Sequence, residues 1–290
     1  MKNIVYAMFT PGPYSQEITY SLHSAYRFLP PSRSDYRFIV FCPSADDFKG
    51  LRVQTVEYGQ ERLAQWAGPH NFGWRVTLHT LMHVLRTYGE PTVLIDGDTY
   101  FRRSPDYLFK RIRPGQSVLH IREGRMCDLT DQVHLDLAAL LRTGTIRDPV
   151  SGAPIPATRA MWNSGVMGVD PADIGTIEQT IALTDQILAR NPINTTEQFA
   201  LSYCLETRTQ LRPCDDIVFH YWAMRYRRPF RKVLTELLEN TANLGEAERA
   251  MKLYAYRPKA SLPKRTLNKA LGILDKLGVR LLSGSPRRSG

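Results

Sequence analysis

Strand-like and helix-like segments alternate along the first 220 residues of this chain, and the alternation limits the folds open to it. Apolar residues concentrate in short segments, and they recur at helical spacing in the longer segments between. The pattern predicts strands at 3–10, 36–41, 52–56, 93–95, 117–121, 165–169 and 216–220. It predicts helices at 15–29, 74–88, 131–142, 173–190 and 195–206. Alternating strands and helices form a mainly parallel sheet covered on both faces, so we expect an α/β fold.

Positive charge is concentrated in the last part of the chain. The net charge of the 290 residues is +10, and residues 221–290 hold 16 Lys and Arg against 5 Asp and Glu. The first 220 residues are therefore nearly neutral, which argues against nucleic acid as a partner of the whole protein surface. We expect a main α/β domain at 1–230 and a basic, helical C-terminal extension at 231–290.

Within that extension, residues 264–282 have the pattern of a basic amphipathic helix. Leucines fall on one side of a helical wheel and most Lys and Arg residues on the other. Such a helix binds an anionic membrane surface, or it packs its apolar stripe on the protein body; we favour the membrane. No apolar run is long enough to span a bilayer, the N-terminal segment is not typical of a signal peptide, and the four cysteines are scattered. We therefore expect a cytoplasmic protein, peripheral at the inner face of the membrane.

A pair of carboxylates follows the predicted strand at 93–95. Side chains at i and i+2 of an extended backbone point the same way, so Asp96 and Asp98 can hold one hard cation, Mg²⁺ or Mn²⁺. In open α/β sheets, ligands bind beyond the carboxyl ends of the strands, where this pair lies. An Asp in this position also caps turns, but two adjacent carboxylates repel each other unless a cation or a proton separates them. We therefore predict a metal site.

Three segments, in this order, resemble the GT-A glycosyltransferases, in particular the glycogenin-like (family 8-type) and related bacterial enzymes. Asp96-Gly97-Asp98 matches their D-x-D motif, residues 162–169 resemble their N-S-G-V strand, and residues 217–222 resemble a late strand that ends in a metal-binding His, here His220. The resemblance covers residues 1 to about 225. It implies a GT-A fold, Mn²⁺ or Mg²⁺ bound by Asp96, Asp98 and His220, and transfer of a sugar from a nucleoside diphosphate sugar, with UDP expected, to a hydroxyl of a saccharide or glycolipid.

The resemblance also implies a set of donor-binding residues. These are Phe9, Thr10, Tyr14, Arg75, Asp96, Gly97, Asp98 and Arg225. Related enzymes have a Thr and then a Tyr that stacks on the base after the first strand, but here two prolines stiffen that loop. Related enzymes also have a basic residue near Arg75, and a Lys after the metal-binding His where this chain has arginines. The alternatives are a surface turn at residues 10–14 and a solvated Arg75 on the polar face of its helix.

Two further segments would contact the acceptor or take part in the reaction. Trp162, Asn163 and Ser164 offer an apolar face and polar groups to a sugar, or they hold a turn. Glu197 and Gln198 resemble the E-Q segment near the reacting centre of retaining GT-A enzymes, which makes them the candidate catalytic residues. Alternatively, Glu197 is a first-turn carboxylate that the helix dipole favours.

Two other functions compete with glycosyl transfer. A haloacid-dehalogenase-like phosphatase also has D-x-D after a strand, and Asp96 would then be its nucleophile. That family has Gly-Thr after the second Asp, where this chain has Thr99-Tyr100, and its motif normally ends the first strand. A non-catalytic nucleotide-sugar binding protein is the other alternative, and the intact Asp96, Asp98 and His220 argue against it.

Overall fold

A seven-stranded sheet forms the centre of the structure, a computed structural model that describes residues 1–10 and 12–259. The strands are β1 (Lys2–Ala7), β2 (Tyr36–Cys42), β3 (Gln54–Glu57), β4 (Thr92–Ile95), β5 (Thr99–Phe101), β6 (Gln116–Leu119), β7 (Arg122–Arg125), β8 (Ala160–Trp162), β9 (Val166–Val169), β10 (Gln210–Pro213) and β11 (Val218–His220). The helices are α1 (Tyr14–Tyr26), α2 (Gln60–Ala67), α3 (Gly73–Tyr88), α4 (Asp106–Phe109), α5 (Gln132–Arg142), α6 (Ile174–Leu188), α7 (Thr196–Arg208), α8 (Met224–Glu239) and α9 (Glu246–Ala255). The predicted α/β class is confirmed.

The order of strands in the central sheet is β10-β6-β9-β4-β1-β2-β3. Only β9 runs antiparallel to its neighbours β4 and β6, so the sheet is mainly parallel, as predicted. The chain winds outward from β1 through β2 to β3 and then returns to the other side of β1 with β4. In open sheets of this kind, such a reversal leaves a crevice beyond the carboxyl ends of the two strands concerned, here β1 and β4, and ligands bind in that crevice.

Helices cover the central sheet on both faces, and the alternation of side chains along β1 shows how. Ile4 and Tyr6 point into a buried cluster that includes Ile18 of α1, while Val5 points into a cluster that includes Leu81 of α3. Successive side chains of a strand point to opposite faces, so a strand buried on both sides is apolar throughout. Two small antiparallel sheets, β5 with β11 and β7 with β8, accompany the central sheet and add side chains to the same buried clusters, among them Phe101 and Trp162.

Helices α8 and α9 lie mostly in the segment predicted to be a helical extension, for which we predicted no helix bounds in this part, and they pack on the body of the protein. Phe230, Leu234 and Leu253 lie in a buried cluster with Tyr20 of α1 and Tyr100 of β5. The predicted boundary at residue 230 therefore falls within a helix that shares a core with the main domain. The predicted membrane-binding helix at 264–282 lies outside the described residues. Within residues 1–10 and 12–259, none of the helices combines the length and the apolar character needed to cross a bilayer.

We expect stability to fall as pH drops below 6.5, in part because of His23. Its side chain is buried in α1, and burial, aided by the charge of Arg249, lowers its pKa to about 3. Between pH 6.5 and 3 the unfolded chain therefore binds a proton that the folded chain does not. At pH 5 this difference in proton binding lowers the free energy of unfolding by about 2 kcal/mol, and the effect vanishes above the pKa of His23 in the unfolded chain.

The corresponding experiment measures urea unfolding from pH 7.5 to pH 5. His23→Leu should flatten the loss of stability on acidification, whereas the same change at the exposed His70 should leave the pH dependence as it is. An unchanged pH dependence in His23→Leu would show that His23 is charged or solvated in the folded protein.

Candidate metal centre

Three side chains from separate segments meet at the end of β4. Asp96 follows β4 directly, Asp98 precedes β5, and the antiparallel pairing of β11 with β5 sets His220 opposite Thr99. One ligand atom from each of Asp96, Asp98 and His220 lies within 4.8 Å of the other two. Two carboxylate oxygens and an imidazole nitrogen suit Mn²⁺ and related ions. The predicted metal-site residues are therefore brought together, at the sheet edge where they were expected.

Two glycines allow the segments to approach this closely. The backbone N–H of Asp96 donates to the carbonyl of Gly165 at 2.9 Å, and the His220 ring lies directly against the Cα of Gly165. A Cβ at residue 165 would overlap that ring. At Gly97, between the two aspartates, a Cβ would lie 2.9 Å from Cγ1 of Ile18 in α1. The glycines of both motifs are thus needed for packing around the site.

Asn163 fixes the orientation of His220. Nδ1 of His220 lies 2.8 Å from Oδ1 of Asn163, which also accepts the Gly165 N–H, while Nδ2 of Asn163 donates to Glu123 at 3.0 Å. Because a carboxylate only accepts, the amide orientation of Asn163 is defined, and Nδ1 of His220 must be the donor. Nε2 faces the two aspartates, and in the neutral imidazole it carries the lone pair that a cation would bind. Metal-binding histidines are generally held in this way by their second nitrogen.

Arg227 holds Asp98 from the opposite side. Its Nη1 lies 2.7 Å from Oδ2 of Asp98, whereas Oδ1 of the same carboxylate lies 3.3 Å from Nε2 of His220. One oxygen of Asp98 therefore faces the candidate metal position and the other is bound by an arginine of α8. Arg225, which we predicted to bind the donor, is exposed on α8, with its guanidinium over the ring of Tyr226. The arginine at the centre is thus Arg227.

The three candidate ligands perturb one another's pKa values. Burial raises the pKa of Asp96 to about 6, and the charge of Asp98 adds to the rise while that of His220 opposes it. Burial acts in the same direction on Asp98, but His220 and Arg227 outweigh it and lower the pKa of that carboxyl. Burial opposes protonation of His220, yet Asp98 and Asp96 raise its pKa. The cluster therefore attracts protons and cations, as expected for negative groups placed side by side.

The two residues predicted to be catalytic lie in the first turn of α7, and they have different surroundings. Burial, reinforced by the charge of Asp96, raises the pKa of Glu197 to about 8, and its Oε2 lies 3.5 Å from the Ser164 hydroxyl. Its Oε1 is buried with no hydrogen-bond partner among residues 1–10 and 12–259. Gln198 instead donates to Glu123 at 2.9 Å. Glu197 thus borders the site, whereas Gln198 supports the residue that orients Asn163.

The predicted sugar platform at Trp162 does not exist as expected. Trp162 lies in β8 with 7% of its surface exposed, because its indole packs in the core with Leu201 and Leu205 of α7. Asn163 uses its amide to hold His220 and Glu123, and Ser164 lies nearer to Glu197. An exposed tryptophan, Trp222, follows His220 by two residues and has 54% of its surface exposed.

Arg75 is bonded to other parts of the protein. Its guanidinium makes two hydrogen bonds to Asp185 of α6, at 2.7 and 2.9 Å, and two more to the carbonyls of Gln65 and Trp66. It therefore joins α2, α3 and α6. This corrects the expectation of a freely solvated Arg75, while contact of this side chain with the donor stays a prediction.

The remaining predicted donor residues lie around the crevice between β1 and β4. Phe9 follows β1 and makes an edge contact with Trp74, at 6.1 Å between ring centres, and Thr10 is exposed next to it. Tyr14 begins α1, and the guanidinium groups of Arg227 and Arg231 lie 5.5 and 5.0 Å from the centre of its ring. Aromatic and cationic groups thus border the crevice on the side of α1 and α8.

Nothing in the sequence indicated Glu17 or Glu123, and it indicated arginines after His220 without identifying Arg227 among them. Arg227 belongs to the basic segment that the sequence indicated, but nothing in the spacing selects it. Glu17 and Glu123 carry no motif, since their importance comes only from what the fold sets beside them. Neither the protein-family models nor the curated proteins with which we compared the chain give a match.

If Asn163 orients His220, then Asn163→Ala should weaken Mn²⁺ binding about 10- to 100-fold, the usual effect of losing such a support. Asn3→Ala is the matched control, because Asn3 is equally buried and bonded to Thr92 and Arg37 but lies at the opposite end of the sheet. Isothermal titration with Mn²⁺ measures both. Equal Mn²⁺ affinity in the two variants would show that Asn163 has only a structural role.

Proposed function

We propose that this protein is a metal-dependent glycosyltransferase of the GT-A type, which moves a sugar from a nucleoside diphosphate sugar to a hydroxyl acceptor. The observation that carries the proposal is the convergence of Asp96, Asp98 and His220 at the point where the strand order reverses. Aromatic and cationic side chains border the same crevice, as a base and a diphosphate require. UDP is the nucleotide that the resemblance favours.

The ligand set supports Mn²⁺ or Mg²⁺ as the cofactor. Asp96 and Asp98 offer hard oxygen ligands, and the neutral imidazole of His220 suits Mn²⁺ in particular. A cation bound there would stabilise the negative charge of the departing diphosphate. Arg227, next to Asp98, carries a positive charge that would act on the same group.

Glu197 is the proposed catalytic group nearest to the reacting sugar. Its carboxyl borders Ser164 and is influenced by Asp96, and its raised pKa keeps it protonated near neutral pH. A cation that neutralises Asp96 would remove part of this rise, so the carboxyl would ionise more readily once the site is filled. Gln198, which is bonded to Glu123, contributes to the position of the helix end rather than to proton transfer.

We expect Asp96→Asn and Asp98→Asn to abolish the Mn²⁺-dependent thermal stabilisation that UDP gives the wild-type protein. Each change replaces an anionic ligand by a neutral one, and turnover should fall at least about a hundredfold. A ligand at 100 times its Kd stabilises a protein by about 2.7 kcal/mol, which makes the loss measurable. Asp148→Asn is the control, because Asp148 is buried and paired with Arg208 at the end of α7, opposite the first turn that holds Glu197.

The same preparations decide between the competing functions. A glycosyltransferase releases UDP from a UDP-sugar, slowly to water and faster to an acceptor, and it leaves phosphate monoesters intact. Hydrolysis of p-nitrophenyl phosphate that disappears in Asp96→Asn would favour the phosphatase. Mn²⁺-dependent UDP-sugar binding without release from any donor would favour a binding protein.

Basic and apolar side chains are exposed together on the segment that follows His220. We propose that this surface contacts an anionic membrane that carries a glycolipid acceptor. Trp222 and Met224 are 54% and 65% exposed, and Arg225, Arg228 and Lys232 share one stripe of α8. No Asp or Glu occurs between Asp216 and Glu236. Aromatic and basic side chains together favour the surface of an anionic bilayer.

If so, the double variant Trp222→Ser/Met224→Ser should bind vesicles of anionic phospholipid at least about fivefold more weakly than the full-length wild type, because it loses apolar burial. Met251→Ser removes a comparably exposed side chain from α9 and should have no effect. Sedimentation with anionic and with neutral vesicles gives the comparison. Unchanged binding by the double variant would exclude this surface from membrane contact.

A further inference from the structure

Glu17 is a buried carboxylate that no motif singles out. It lies in the first turn of α1, is fully buried, and receives two arginines from α8. Arg227 donates to it through Nε and Nη2 at 3.0 and 2.7 Å, and Arg231 does so at 2.9 and 2.7 Å. Two bidentate contacts occupy both oxygens, so the carboxylate is fully compensated in spite of its burial.

Of these two arginines, Arg227 also contacts a residue of the metal centre. With Nε and Nη2 bound by Glu17, Arg227 directs Nη1 at Oδ2 of Asp98, 2.7 Å away. A guanidinium is planar and rigid, so fixing two of its nitrogens fixes the third. The position of Glu17 therefore determines where Arg227 meets Asp98, and Oδ1 of Asp98 remains directed at His220.

We infer that Glu17 is a positioning residue of the metal centre, acting through Arg227 on Asp98. The inference rests on the metal site of the proposed function. Glu17 holds Arg227 where it binds one oxygen of Asp98 and leaves the other for a divalent cation. Its negative charge also offsets that of Arg227 and Arg231, which would otherwise repel a cation bound nearby.

If Glu17 acts on the metal centre, its charge should affect cation affinity as well as folding stability, whereas a purely structural salt bridge should affect stability alone. Glu17→Gln removes one negative charge from the group formed by Glu17, Arg227, Arg231, Asp96 and Asp98, whereas Arg231→Gln removes one positive charge. Both variants break the same Glu17–Arg231 contact. Their effects on folding stability should therefore have the same sign, and their effects on cation affinity should have opposite signs.

The experiment measures Mn²⁺ affinity by calorimetry and thermal unfolding without metal, on the full chain. Glu17→Gln should weaken Mn²⁺ binding about tenfold, within the usual range for a residue that supports a ligand. Arg231→Gln should strengthen Mn²⁺ binding about threefold, because a nearby positive charge is lost. The double variant Glu17→Gln/Arg231→Gln keeps the net charge of the wild type, so its Mn²⁺ affinity should return towards the wild-type value. The double variant also provides a test if Glu17→Gln alone does not fold.

Asp185→Asn provides the matched control. Asp185 also receives a bidentate arginine, Arg75, but this pair joins α3 to α6, and neither residue is among the groups that pair with Asp96, Asp98 or His220 in the described part of the chain. The variant should lose stability and keep its Mn²⁺ affinity. The inference is overturned if Glu17→Gln binds Mn²⁺ within twofold of the wild type, or if both single variants at the Glu17–Arg231 contact weaken binding alike.

The outcomes also separate this inference from the proposed function. Mn²⁺ binding that responds to charge as described, without release of UDP from a UDP-sugar, would retain the role of Glu17 and remove the transferase. Release of UDP together with a Mn²⁺ affinity that does not change in Glu17→Gln would support the transferase and exclude the role of Glu17. A wild-type protein that does not bind Mn²⁺ would overturn both.

Discussion

The rest of the site depends on keeping Asp96 and Asp98 side by side. Two carboxylates one residue apart repel each other, and burial makes the repulsion stronger because the protein interior screens charge poorly. The structure counters this with His220 and Arg227, which approach from two different elements, β11 and α8. The pairing of β11 with β5 brings His220 to the two aspartates, and the packing of α8 on α1 brings Arg227. Both therefore offset the negative charge of Asp96 and Asp98.

Both Arg227 and His220 are positioned by a second carboxylate, Arg227 directly and His220 through Asn163. Glu17 holds Arg227, and Glu123 holds Asn163, which orients His220. Such chains are costly to bury unless every member is bonded, but once they are complete they fix side chains with little freedom. A site that binds a cation between fixed ligands gains from this rigidity, because ligands that are already in place lose little entropy on binding. Rigid support on both sides is consistent with the proposed metal chemistry.

Helix α8 connects the architecture with the proposed function. Its inner face carries Phe230 and Leu234 into a shared core, its first turns supply Arg227 and Arg231, and its outer stripe is basic. One helix thus contributes to folding, to the metal centre and to the surface proposed to face an acceptor. Since the centre contains a residue from α8, the functional unit extends past His220 and includes at least this helix.

The sequence by itself determined the fold class and the three residues that meet at the candidate metal centre, and the tertiary structure decided the residues around them. The periods of strand and helix are local properties, so the alternation of elements predicted the parallel sheet. The spacing of Asp96 and Asp98 identified the carboxylate pair, and the resemblance of residues 217–222 to a family motif added His220. Which arginine of α8 reaches Asp98 depends on how that helix packs on α1, and so Arg227 rather than Arg225 lies at the centre. Trp162 is buried and Arg75 is bound to Asp185 for the same reason: local pattern shows what a side chain is, whereas only packing decides what it faces. Glu17 and Glu123 have no signature in the sequence because their partners are distant in the chain.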